Sequence, residues 1–201
     1  MSNEVFQIMK KFDLDSVELQ MVLQCAPVLT GLKIANLLNI KSAQGRDVCR
    51  ILYNKGISVY PLFDNGTKMC MLLYRNDELW NYINESKVKA MLKNMGYKDK
   101  GIRAMLKRFS DRYKLYLQRN GEFPHEMGLF LGYPVEDVEG FIENEGKNFL
   151  CSGYWKVYKD MPEKKRLFKK FEQAEEILIK RLYSGGLKNG SNKGNLLVTV
   201  R

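Results

Sequence analysis

The chain has no apolar run long enough to cross a bilayer. Its best candidate, Leu19–Leu32, is 14 residues long and interrupted by Gln20, Gln24, Pro27, Thr30 and Gly31, where a spanning helix needs about 20 apolar residues. The first twelve residues carry Glu4, Lys10 and Lys11 and no apolar h-region, so neither a secretion signal nor a membrane association is expected, and the expected location is cytoplasmic. Histidine occurs once, at His125, so a multi-histidine metal site cannot be built within one chain. The four cysteines, Cys25, Cys49, Cys70 and Cys151, include no CxxC pair, which argues against a closed zinc site and for reduced thiols. No GxxxxGK[ST], GxGxxG or GxSxG occurs, removing the phosphate loop, the dinucleotide fingerprint and the nucleophile elbow. His125-Glu126 does not open an HExxH zincin motif, because position 129 is leucine.

What is present is an ordinary folding composition with an unusual distribution of charge. Of 201 residues, 45% are hydrophobic and 28% charged, enough to build a core and to exclude global disorder. The formal charge of +10 is uneven. Residues 1–85 are neutral; 86–120 hold eleven basic and two acidic side chains; 121–146 hold seven acidic and none basic; 147–201 hold thirteen basic and five acidic. An acidic block between basic ones can answer part of the positive charge from within. A nucleic acid therefore stays a candidate partner without being favoured.

The apolar periodicity predicts a mixture of helices and strands. Asp15-Ser16-Val17-Glu18 reads as a capping box opening a helix that Cys25-Ala26-Pro27 ends. Gly31–Ile40 alternates as a strand, and a short helix around Val48, Ile51 and Leu52 stops at Gly56. Ile57–Phe63 and Lys68–Arg75 read as a hairpin turned at Asn65-Gly66, the second run being apolar on both faces as a covered central strand requires. Residues 77–146 read as helices, with Ile102, Met105, Leu106, Phe109, Tyr113 and Tyr116 as an inner stripe. Lys100, Arg103, Lys107 and Lys114 form a basic surface opposite, suited to phosphates. Leu150–Tyr158 reads as a strand and Met161–Tyr183 as a helix. The expected fold is α/β or α+β: a single mixed sheet with a central hairpin, layered with helices, in one globular domain over 1–183. Residues 184–201 read as a flexible connector with an edge strand at Leu196–Val200.

The densest motif is GEFPHEMGLFLGYPVEDVEGFIENEGKN, residues 121–148. Pro124 suits a helix start, Gly132-Tyr133-Pro134 breaks that helix, and Glu136 and Asp137 complement the start of the next. His125 with Glu122 or Glu126 could serve acid–base chemistry or an open metal site; the plainer reading of a lone histidine is a helix-start residue bonded to a backbone carbonyl or carboxylate.

Together with LQCAPVLTGLKIANL upstream and CSGYWKVY downstream, this run resembles an uncharacterised bacterial domain-of-unknown-function family of anaerobic Gram-positive bacteria. The resemblance spans roughly residues 15–183; the family pattern has Ile where this chain has Met127. It implies no established reaction. The family's genes often lie beside flavodoxin genes, which implies a link to electron transfer or iron limitation and an acidic flavodoxin-like protein as a candidate partner. The positions matching its motifs are Cys25, Lys33, His125, Glu126, Cys151, Trp155 and Lys156. Three readings of them stay open. Cys25, His125 and Cys151 could converge as soft ligands for iron, zinc or haem. Lys33 and Lys156 could hold the anionic group of a cofactor such as a flavin while Trp155 stacks its ring. Or the cysteines are small core hydrophobes. The expected function is a small-ligand-, metal- or haem-binding protein linked to redox metabolism, with catalysis left open. A nucleic-acid-binding or flavodoxin-docking protein that uses the basic helices is the alternative.

Overall fold

The computed structural model of the chain describes residues 2–98 and 100–188. In chain order its elements are α1 (Asn3–Met9), α2 (Val17–Leu29), β1 (Ala35–Lys41), α3 (Gly45–Leu52), β2 (Ser58–Asp64), β3 (Lys68–Tyr74), α4 (Asn76–Ile83), α5 (Ser86–Asn94), α6 (Ile102–Leu117), α7 (Glu126–Phe130), α8 (Val135–Glu143), β4 (Cys151–Ser152), β5 (Lys156–Val157) and α9 (Met161–Lys188). Helices and strands are thus mixed, as the periodicity requires. The chain divides into two compact units, one running to Arg75 and resuming at Lys169, the other spanning Asn76–Phe168.

In the first unit β3 is the middle strand of a three-stranded sheet ordered β1-β3-β2. Met71 and Leu73 on one face join the core beneath α2, while Cys70, Leu72 and Tyr74 are buried on the other. This is what a strand apolar on both faces demands. Both neighbours run against β3, so the sheet is antiparallel throughout and not mixed. β2 and β3 are joined by a tight hairpin, whereas β1 and β2, on either side of β3, run the same way and are linked through α3. At its turn Gly66 takes φ +84°, and Asn65 Oδ1 accepts the amides of Thr67 and Lys68 at 3.0 and 2.8 Å. On α9, Phe171, Ala174, Leu178 and Leu182 are buried, the stripe its spacing predicts.

Three local expectations are corrected. Helix α2 continues through Pro27 to Leu29. Pro27 has no N–H to give the Leu23 carbonyl, and just past the helix end its own carbonyl accepts the amides of Leu32 and Lys33. Cys25 consequently sits inside that helix and not at its end. No capping box forms, because Ser16 is the N-cap without a side-chain bond and Asp15 instead pairs with Lys41 at 2.7 Å. Helix α9 runs past Tyr183 and through Ser184 to Lys188, where the sequence reads as connector; the edge strand expected at Leu196–Val200 lies outside the described residues.

The second unit is helical, with a two-stranded ladder. Phe109 of α6 stacks on Phe130 of α7, ring centroids 5.0 Å apart, and Tyr97 packs against Phe130 at 5.5 Å. The inner stripe of α6 ends with Phe109 and Ser110; Leu115, Tyr116 and Leu117 are exposed, so Tyr116 is not a core residue. Leu150–Tyr158 is not one strand but the hairpin β4–β5, because Asp137 at the start of α8 pins its far arm. The Asp137 carboxylate accepts Trp155 Nε1 and the amide of Tyr158, both at 2.7 Å, and the amide of Lys159 at 3.2 Å. One face of Trp155 lies on Tyr133 at 4.8 Å, and Phe168 meets it edge-on at 4.6 Å.

The close approach of α8 to this arm requires a glycine. A Cβ on Gly140 would fall 2.4 Å from Cγ of Tyr158, a ring atom with no freedom to withdraw. Gly140→Ala is therefore expected to destabilise the fold by about 1–3 kcal/mol through overpacking, read as a lower denaturant midpoint at unchanged slope.

Candidate functional site

The second unit contains a cleft of about 390 Å³, within the range of small-molecule sites. Its floor is Ile83 from α4, Leu92 from α5, Met105 from α6 and the ring of Tyr97. Its rim carries Lys89 and Lys93, one turn apart on α5, and Lys98 from the following loop. The sequence dictates this shape. Val88 and Leu92 are buried on one side of α5, which turns Lys89 and Lys93 outward, and Gly96, at φ +82°, reverses the chain so that Tyr97 packs back inward. Asn84 also lines the cleft. Its amide nitrogen donates to the Trp80 carbonyl at 2.9 Å, and its oxygen accepts Lys89 Nζ at 3.2 Å.

Behind the cleft lies a charge pair whose carboxylate is buried and whose guanidinium is partly exposed. Glu126 is fully buried; its carboxylate accepts Arg112 Nε and, at 3.4 Å, Arg112 Nη2, together with the Tyr97 hydroxyl at 2.9 Å. Burial first, and then the Glu126 charge, hold the Tyr97 hydroxyl well above the ordinary tyrosine range. Arg108 lies over the Tyr97 ring at 5.3 Å. Tyr97 thus gives its hydroxyl to Glu126 while its ring lines the cleft. Glu126 therefore works as an anchor between α6, α7 and the loop after α5.

The other residues singled out in the sequence fall in several places. Lys33 and Cys25 belong to the first unit and neighbour one another there. Lys33 is buried, Nζ donates to the Ala35 carbonyl at 2.8 Å, and burial pushes its ammonium down to about 7. Cys25 is buried in α2, with Sγ 3.5 Å from the Leu37 carbonyl, and burial pushes its thiol far up. A thiol so held is a poor nucleophile and a poor metal ligand.

His125 and Cys151 belong to the second unit, Cys151 as the half-buried first residue of β4. Among the described residues there is no group of three or more His, Cys, Asp or Glu side chains placed to hold a metal ion. His125 stands at the start of α7, packed against Phe123 and Phe141 at 5.3 and 5.9 Å, with Nδ1 buried and unpartnered. Lys156 reaches the same Phe141 from its other neighbours. Its Nζ donates to the Gly146 carbonyl at 2.7 Å and lies 5.6 and 5.1 Å from the centroids of Phe141 and Phe149. Trp155 is buried, with its N–H and one ring face taken by the chain's own residues, so it offers no open platform for a cofactor ring.

Lys100, Arg103, Lys107 and Lys114 are exposed, and Lys107 is paired with Asp111 at 2.7 Å. The cleft lies just upstream of these residues. The legible signal for it was the pair Lys89 and Lys93 flanking Leu92, followed by Gly96-Tyr97, inside the most basic stretch of the chain.

Residues 21–189 match the model of a family described as a protein of unknown function, DUF3793. No curated protein matches the chain, and no solved structure does.

Proposed function

We propose, for a chain that belongs to the DUF3793 family, that it is a small-ligand-binding protein whose site is the cleft over Leu92, Tyr97 and Met105. The observation that carries this reading is an apolar cleft of about 390 Å³ ringed by lysines, the combination of apolar body and few charged groups common to ligand sites. Among the described residues the cleft is lined by neither histidine nor cysteine, which favours an organic ligand over a metal ion. Lys100 and Arg103, at the start of the helix that contributes Met105, add to the positive field that would draw an anion in. A link to redox metabolism enters this reading only through the nature of the ligand.

The test is titration with the apolar anion 8-anilinonaphthalene-1-sulfonate. One-to-one binding is expected, with loss of most of the fluorescence gain in Met105→Trp, which fills the floor, while the circular dichroism stays unchanged. If Met105→Trp misfolds, Lys93→Glu, at an exposed position, replaces it. Binding unaffected by either change would remove the cleft from consideration. A nucleic acid or an acidic flavodoxin-like protein held on the basic surface is the second reading, supported by the exposure of Lys100, Arg103 and Lys114. Its signature would be binding lost on neutralising Arg103, Lys107 and Lys114 yet untouched by filling the cleft.

A further inference from the structure

We propose that the chain forms a two-fold dimer through an exposed aromatic strip of the second unit. Half of the ten large apolar side chains exposed among the described residues lie on it: Leu115 and Tyr116 at the end of α6, Phe123 in the loop before α7, and Phe149 and Leu150 just ahead of β4. Ring contacts join them through Phe141 of α8, which is half-buried. Tyr116 meets Phe123 edge-on at 5.3 Å, Phe123 lies 6.1 Å from Phe141, and Lys156 Nζ bridges the rings of Phe141 and Phe149 at 5.6 and 5.1 Å. The backbone beside the strip is tied down. Glu145, Gly146 and Asn148 take positive φ, Lys156 Nζ donates to the Gly146 carbonyl at 2.7 Å, and the Leu150 amide donates to the Val157 carbonyl at 2.8 Å. Phe149 and Leu150 are thus presented outward on a fixed loop, which lowers the ordering cost of covering them.

The area suits a dimer. The five exposed side chains are 37–56% accessible, which at about 200 Å² for a large side chain leaves on the order of 400 Å² of apolar surface open. A stable interface of standard size takes about 800 Å² from each partner, a little over half of it apolar. The strip supplies roughly that apolar share. The charges beside it favour a second copy as the occupant. The chain carries +10, so two copies repel unless opposite charges meet at the contact. Here exposed Lys114, Arg119 and Lys147 adjoin exposed Glu122, Glu143 and Glu145, with Lys147 and Glu145 already 3.5 Å apart. A two-fold axis standing on the middle of the strip turns the end of α6 in one copy toward the end of α8 in the other. Lys114 and Arg119 then face Glu143 and Glu145. A nucleic acid or an anionic membrane would meet carboxylates here as well as cations.

The experiment is sedimentation velocity of the full chain over a concentration series from about 1 to 100 μM. A monomer–dimer equilibrium within that range is expected. Phe149→Ser/Leu150→Ser is expected to weaken it at least about tenfold, with circular dichroism unchanged because both side chains are exposed. If that variant misfolds, Phe123→Ser replaces it. Tyr53→Ser, which removes a still more exposed apolar side chain in the first unit, is expected to leave the equilibrium as it is. Added salt should preserve or strengthen association, because it screens the repulsion between two positive chains while an apolar contact survives. A monomer throughout the range would overturn the dimer. Association that salt dissolves, or that Tyr53→Ser weakens as much as Phe149→Ser/Leu150→Ser, would place the contact elsewhere and overturn the strip. Capture of a monomer by phosphatidylcholine vesicles, lost in Phe149→Ser/Leu150→Ser, would make a lipid surface the occupant and overturn the second copy.

Discussion

Arg112→Met is expected to destabilise the protein by about 3–5 kcal/mol, the cost of leaving a buried charge without its partner. Glu126 is fully buried and its two oxygens depend on Arg112 and Tyr97. Once the guanidinium is gone, the Tyr97 hydroxyl alone faces an ionised carboxylate in an apolar surround. Glu126→Gln keeps the volume and an acceptor for Tyr97 but loses the charge-assisted bonds, so a smaller loss of about 1.5–3 kcal/mol is expected. The double change Arg112→Met/Glu126→Leu removes donor and acceptor together, and most of the stability should return, since an apolar replacement of an ion pair is often neutral or better. Urea denaturation of the wild-type chain, Arg112→Met, Glu126→Leu and the double variant closes the cycle, with Glu126→Gln measured beside it. Additive losses in the double variant would mean that the two side chains act independently and that Glu126 is not an anchor. Tyr97 contributes both to this pair and to the cleft floor, so binding of the sulfonate probe should fall in Arg112→Met even under conditions where the fold persists.

This pair also marks how far the sequence could be read. The central strand β3 was legible because Met69 to Tyr74 leaves no polar face, and the hairpin because Asn65-Gly66 admits only a tight turn. The helix α9 was legible because Phe171, Ala174, Leu178 and Leu182 recur at helical spacing. Glu126 could be singled out but not assigned. Fourteen residues separate it from Arg112 and 29 from Tyr97, and periodicity carries no information about contacts at such separations. The same holds for Trp155, which looked like a stacking platform until Asp137 and Tyr133 were seen to occupy it. The end of α2 was misread for a local reason. Pro27 forgoes one bond, to the Leu23 carbonyl, while Val28 and Leu29 beyond it are fully buried, so packing keeps the last turn helical. The residues of the cleft form no motif beyond the Lys89 and Lys93 pair and Gly96-Tyr97; only the folding of α5 and α6 around Tyr97 gathers them.

Lys33 carries the second large effect. In the unfolded chain its ammonium titrates near 10.5, whereas burial lowers it to about 7 in the fold. Between these values the unfolded chain binds the extra proton. Stability therefore rises as pH increases from about 7 toward 10.5 and is unaffected by this group well below 7, where both states are charged. At about 1.4 kcal/mol per unit, the contribution across the window is at most about 5 kcal/mol, an upper figure that relaxation around the ammonium reduces. Other lysines and tyrosines titrate in the same window, so the quantity to measure is the difference between the wild-type chain and Lys33→Met by urea denaturation at pH 6, 8 and 9.5. Lys33→Met should be more stable at pH 6, where the wild-type chain carries the cost of a buried charge, and the advantage should shrink as pH rises. At pH 9.5 it should reverse, because the neutral amine still donates to the Ala35 carbonyl and methionine does not. A pH-independent difference would mean that Lys33 reaches water while charged. The reversal would show that the first unit tolerates this lysine because it can discharge, with Cys25 beside it remaining a neutral thiol.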